Sequence, residues 1–129
     1  MKKVFVLLIA MIAFAVSSVA AGQQSPADIK KEQAELAKMT ASYKTAKAAY
    51  LKSPNNEKLK KTYVKATVEL GFKTMYANSL TPKQKYPGSL KLFHEALKID
   101  PNQQEAKMAA DTIEAIYRKR HQPIPKDGG

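Results

Sequence analysis

Cysteine and tryptophan are both absent from the 129 residues. Without cysteine there is no disulfide, thiolate metal site, thiol nucleophile or lipid anchor on a cysteine. Glycine occurs five times, too rarely for the glycine-rich loops that cradle phosphates. The two histidines, His94 and His121, are not at metal-ligand spacing. No serine-hydrolase elbow, phosphate loop or dinucleotide fingerprint appears. Asp111 and Glu114 share a helix face at i and i+3, where such a pair balances Lys107 and Arg118. These absences predict a chain that is not an enzyme and holds no metal or cofactor. Its length predicts one small domain with one modest core.

Lysine is abundant. The chain carries 22 Lys and Arg against 11 Asp and Glu, a net charge of +11. Lys2 and Lys3 open the chain, an apolar run follows from Val4 to Val16, and small residues follow from Ser17 to Ala21. This is the layout of a bacterial secretory signal peptide. Cleavage after Ala20 or after Ala21 fits equally well. The run is shorter than the roughly 20 apolar residues that span a bilayer, so no stable membrane anchor is expected after cleavage. The expected organisation is a signal peptide over 1–21, a mobile N-terminus over 22–26, a helical domain over 27–121 and a flexible tail over 122–129. The expected location is periplasmic or secreted.

Beyond the leader the composition favours helix, and seven prolines punctuate it. No stretch alternates apolar and polar residues with period two. The spacing predicts an all-α chain of about four helices in antiparallel pairs. The first runs from Pro26 or Ala27 to Lys52, with Ser25 as N-cap and Pro26 at the first helical position. Its apolar stripe is Ile29, Leu36, Tyr43 and Tyr50, with Met39 and Ala46 between. The second runs from Glu57 to Ala77, with Leu59, Tyr63, Ala66 and Leu70 facing inward. Gly71 lies inside it, either to admit a close neighbour or incidentally. Thr81-Pro82 predicts a short turn of helix, and a third long helix is expected from Pro87 or Gly88 to Ile99, carrying Leu90, Phe93 and Leu97. The fourth is expected from Gln103 to Arg120, with Ala106, Ala109, Ala110, Ile113, Ile116 and Tyr117 as its apolar face.

Two parts of the chain match at an offset of 47. Ser53-Pro54-Asn55-Asn56 lies over Asp100-Pro101-Asn102-Gln103. Ala49-Tyr50 lies over Ala96-Leu97, and Leu59, Tyr63 and Ala66 lie over Ala106, Ala110 and Ile113. The segment from Leu90 to Asn102 resembles the second helix and turn of a tetratricopeptide repeat. Ser89 is its small residue, Phe93 its aromatic, and Ala96-Leu97 and Asp100-Pro101 complete the signature. Gln103 to Ala106 resembles the start of the next repeat. The likeness covers about Ser42 to Ile116. It departs from the family in period, which is about 34 in the family, and in the glycine expected where Val64 and Asp111 stand. A plain four-helix bundle uses the same helices and turns.

Lys58, Lys61 and Lys65 are spaced i, i+3 and i+7 and form one stripe. The resemblance implies that this helix lines a concave groove, with Val68 and Glu69 at the end of the stripe. It also implies that Glu105, Met108 and Thr112 hold the matching face of the fourth helix. Lys58, Lys61, Lys65, Val68, Met108 and Thr112 are therefore the candidate partner-binding residues. Either the lysines meet acidic groups of a partner, or they form a solvated face that keeps the chain soluble. The expected function is an exported interaction module that binds another protein or peptide. The alternative is a basic helical bundle that binds an anionic envelope component, a membrane surface or a polymer. Nucleic acid is not expected, because the lysines spread over all helices, arginine occurs only twice, and the aromatics lie on apolar faces. The half units at either end also suggest pairing with a second copy.

Overall fold

The computed structural model describes residues 24–126. The expected signal peptide and its cleavage site lie outside them, as do residues 127–129 of the expected tail. Among the described residues the chain is all-helical: α1 (Pro26–Lys52), α2 (Glu57–Met75), α3 (Pro82–Ile99) and α4 (Gln104–Lys119), with no strand. α1 packs on α2, α2 on α3 and α3 on α4, and α2 also meets α4 along part of its length. α1 and α4 do not pack on one another, so the helices form an open stack of antiparallel pairs rather than a closed bundle.

Local chemistry sets the helix ends. At the start of α1, Ser25 Oγ accepts the Asp28 amide at 3.2 Å and Asp28 Oδ2 accepts the Ser25 amide at 3.3 Å. This reciprocal cap satisfies two donors that the first turn would otherwise leave open. Asn56 caps α2 by accepting the Leu59 amide at 3.1 Å. The two Pro-Asn turns share a geometry. Ser53 and Asp100 are C-caps, Asn56 and Gln103 are N-caps. In each turn the later residue donates its amide to the carbonyl of the earlier one, at 3.0 and 3.2 Å.

One boundary differs from expectation. The short turn at Thr81-Pro82 and the third long helix are one continuous helix that begins at Pro82 and contains Pro87. Pro82 occupies the first helical position, where its missing N–H costs nothing. Pro87 deprives only the Lys83 carbonyl of its partner, and Lys83 is exposed to water. The insert between the two matched parts is thus absorbed mostly as extra helix.

The described part of the expected tail begins with a turn. Arg120 ends α4, and His121 takes a positive φ of 53°. The His121 amide donates to the Arg118 carbonyl and the Gln122 amide to the Tyr117 carbonyl, each at 3.0 Å. These are the two bonds of a Schellman motif. The motif reverses the chain and lays Ile124 against the core.

The core lies among α2, α3 and α4. Val64, Val68 and Met75 meet Leu90, Phe93 and Ala96, and Ala106, Ala109, Ala110 and Ile113 close the far side. Phe93 is 0% exposed and meets Phe72 edge-on, with ring centroids 5.0 Å apart. A Cβ placed on Gly71 would stand 2.7 Å from Phe93 Cε1. Gly71 is therefore the gap that the Phe93 ring fills. Gly88 has no such role, because a Cβ there would meet only Thr74 Cγ2 at 3.7 Å.

α1 is held differently. It has a neighbour on one side only, and of its apolar stripe only Ala46 is fully buried. Polar contacts supplement its packing. Tyr43 donates to both Glu95 oxygens at 2.8 Å, Lys47 Nζ pairs with Glu95 Oε1 at 2.8 Å, and the Tyr63 hydroxyl donates to the same oxygen. One carboxylate on α3 thereby gathers side chains of α1 and α2. At the other end of α1, Glu32 accepts the amides of Asn78 and Ser79 at 3.1 and 2.7 Å, and Glu35 pairs with Lys73 at 2.6 Å.

Burial opposes the Glu95 charge, but the Lys47 ammonium and then the two phenols overcome it. They hold the carboxyl below its usual range. Burial, and then the Glu95 charge, push the Tyr43 and Tyr63 phenols up. The hydrogen bond to Glu95 raises Lys47 despite its own desolvation.

Two predictions follow from this packing. Gly71→Ala should lower the urea midpoint, because overpacking costs about 1–3 kcal/mol against a helical gain of about 1 kcal/mol. Gly88→Ala should raise stability by about 0.5–1 kcal/mol, and a rise for Gly71→Ala would contradict the packing described.

The second concerns pH. A lowered Glu95 pKa stabilises the fold above the ordinary carboxyl range of about 4.3, and that contribution disappears as pH falls through the folded value. Raised Tyr43, Tyr63 and Lys47 stabilise below about pH 10, and their contribution fades as pH rises above it. Urea melts across pH should show a plateau between these limits. Glu95→Gln should lower the plateau by about 1.5–3 kcal/mol, as for hydrogen bonds to a charge, and should flatten the acid limb.

Candidate partner-binding groove

α2 and α4 lie side by side and leave a trough between them. At one end is a hollow of about 420 Å³. Lys60, Lys61 and Lys65 of α2 form one wall, Val64 and Val68 lie at its base, and Asp100, Gln103 and Glu105 form the opposite side. At the other end a hollow of about 220 Å³ lies between Phe72, Met75 and the C-cap Tyr76 at the end of α2 and Met108, Ala109 and Thr112 of α4. Glu105 lines both hollows, so they are parts of one surface.

The trough exists because of helix spacing. Glu57, Lys60, Lys61, Val64, Lys65, Val68 and Glu69 fall at i, i+3, i+4, i+7, i+8, i+11 and i+12, which is one face of a helix. Small residues on the facing side of α4, Ala106, Ala109 and Ala110, are buried. They let the two helices touch without filling the space above.

The candidate residues separate. Lys61 and Lys65 line the first hollow. Val68 is only 4% exposed, so it belongs to the core and offers little surface. Lys58 is exposed but does not line the hollow. Met108 is 68% exposed and, with Thr112, lines the second hollow. Thr112 Oγ1 already donates to the Met108 carbonyl at 2.8 Å, so the hydroxyl retains only acceptor capacity.

Lys60, Glu57, Phe72 and Tyr76 are among the lining residues outside the candidate set. Tyr76 is 68% exposed and its ring stacks on Phe72, centroids 6.4 Å apart and planes within 6°. The i, i+3, i+4, i+7 pattern counted from Glu57 would have found the first hollow. Phe72 and Tyr76 are likewise four apart at the end of the same helix.

The charge of the trough is mixed. Lys60, Lys61 and Lys65 stand with Glu57, Glu69, Asp100 and Glu105. Lys65 and Glu69 approach to 3.9 Å with both side chains largely exposed, a pair of small energetic value. Asp100 Oδ1 accepts the Asn102 amide at 3.1 Å and serves the turn as well. A lysine stripe of one sign is therefore not what the trough presents.

His94 of α3 reaches across to α4. His94 Nε2 lies 3.3 Å from Glu114 Oε1, and Arg118 donates to Glu114 Oε2 at 2.8 Å. Among the described residues there is no group of three or more His, Cys, Asp or Glu placed to hold a metal ion. None of the described helices is long and apolar enough to cross a membrane. No protein-family model, curated protein or solved structure matches the chain.

Proposed function

We propose that this chain is an exported, non-enzymatic interaction module of the tetratricopeptide-like kind that binds a segment of a partner protein in the trough between α2 and α4. The observation that carries this reading is the exposed Tyr76 and Met108 beside a charged hollow on the same surface. Exposed aromatic and methionine side chains in a concavity supply binding energy. Charges of both signs next to them supply register and selectivity. A fitting partner segment carries an apolar side chain for the Phe72–Tyr76–Met108 end and polar groups of both signs for the other. The matched turns at Ser53 and Asp100 support the repeat reading, because each joins its two helices through the same amide-to-carbonyl bond from N-cap to C-cap.

A second reading, electrostatic binding of an anionic envelope surface or polymer, rests on a different face. On α1, Lys30, Lys31, Lys38, Lys44 and Lys52 are exposed. Glu32 and Glu35 of that helix are already engaged with the α2–α3 connection and Lys73. These exposed lysines of α1 do not line the trough.

Immobilised protein exposed to envelope extract at low and at moderate salt separates the two. A specific partner retained at both salts, and weakened about tenfold by Tyr76→Ala or Met108→Ala, is the expected result; that is the effect of losing about 1.4 kcal/mol at a hot spot. Reversal of Lys38 and Lys44 to Glu should leave it bound. Ligands lost on adding salt, and lost again on reversing the α1 lysines, would replace this reading with the electrostatic one.

A further inference from the structure

A third hollow, of about 610 Å³, lies on the opposite end of the α3–α4 pair. Its size is within the range of about 300–1,000 Å³ for small-molecule sites. Pro82 and Tyr86 of α3 form one side, Ile116 and Tyr117 of α4 the other, and Pro123 of the reversed tail closes it. Tyr86, Tyr117 and the neighbouring Ile124 also pack against the core, so the aromatic walls are held in place. The tail wall is held too, by the Gln122 amide on the Tyr117 carbonyl.

The polar groups of this hollow have one sign. Lys83 and Arg120 stand on its rim, and no carboxylate lines it. The trough between α2 and α4, by contrast, is lined by Glu57, Glu69, Asp100 and Glu105. We infer that the hollow between the start of α3, the end of α4 and the Gln122–Pro123 segment binds a single anionic amphiphile, a carboxylate on an acyl or aryl body. The apolar body lies between the Tyr86 and Tyr117 rings. The carboxylate meets Arg120, whose planar fork matches two carboxylate oxygens, and Lys83 adds a second positive charge. Burial raises the Tyr117 phenol while Arg120 works to lower it, which places the guanidinium charge within reach of that ring. The site is separate from the trough and does not depend on what occupies it.

The test uses protein purified after expression of the full chain, with laurate below its micelle-forming concentration as probe. Dodecyltrimethylammonium serves as the cation of equal chain length, and phosphatidylglycerol vesicles as the surface arm. Saturable binding of one laurate is expected, with amide NMR shifts centred on Tyr86, Tyr117 and Gln122. The ammonium should bind at least tenfold more weakly. A K83E/R120E double variant, altered at two exposed positions and checked for helix content, should lose at least tenfold in laurate affinity. Equal binding of anion and cation would overturn the inference without needing any variant. So would shifts centred on Phe72 and Met108, an unchanged affinity in the double variant, or binding to vesicles without uptake of free laurate.

Discussion

At Gly71 the backbone of α2 runs against the ring of Phe93, and no side chain could stand between them. The rest of the stack is arranged around this approach. With α3 drawn in, Phe72 meets Phe93 edge-on, Leu90 and Ala96 become inaccessible, and α4 can lay its alanines and Ile113 on the remaining surface. A glycine inside a helix costs about 1 kcal/mol relative to alanine. Here the cost is offset by burying a whole aromatic ring, worth about 1.5–3 kcal/mol. In so small a protein there is no second core to make good a loss at this point.

Glu95 joins the part of the molecule that the apolar core does not reach. α1 has only one neighbour, and its stripe is mostly half-buried. A carboxylate reached by Tyr43, Tyr63 and Lys47 supplies direction that apolar packing alone lacks. Each partner comes from α1 or α2 and the acceptor from α3. The contact therefore fixes how α1 is rotated as well as where it lies. Glu32 and Glu35 do the same at its other end, where they hold the connection before α3 and the end of α2.

These two devices leave the surfaces that carry function. Because α2 and α4 touch through small residues, a trough opens above them with mixed charge at one end and Phe72, Tyr76 and Met108 at the other. Because His121 adopts a left-handed backbone, the chain turns back at the end of α4 and walls the third hollow, whose rim is cationic. The net positive charge of the protein is thus divided. The trough carries both signs, α1 presents exposed lysines, and the hollow behind α4 is lined by Lys83 and Arg120 and by no carboxylate.

Helix positions were legible in the chain because capping and turn chemistry are local. Ser25-Pro26, the Pro-Asn turns and the heptad-spaced stripe of α1 each act within a few residues, and the structure places them where that chemistry puts them. The matched turns at Ser53 and Asp100 were readable for the same reason. Pro87 misled, because a proline in the second turn of a helix deletes one hydrogen bond whose carbonyl water can reach, and the chain does not have to break there. What only the tertiary structure decided depends on which faces meet. Lys60 lines the groove and Lys58 does not, a division that the stripe on α2 does not show by itself. Val68 moves into the core because α3 and α4 both cover it. The acidic side of the trough comes from Asp100 and Glu105, more than thirty residues from the lysines they face. Local sequence determines a helix and its polar stripe, but the charge of a groove is a sum over two helices, and folding alone chooses the second.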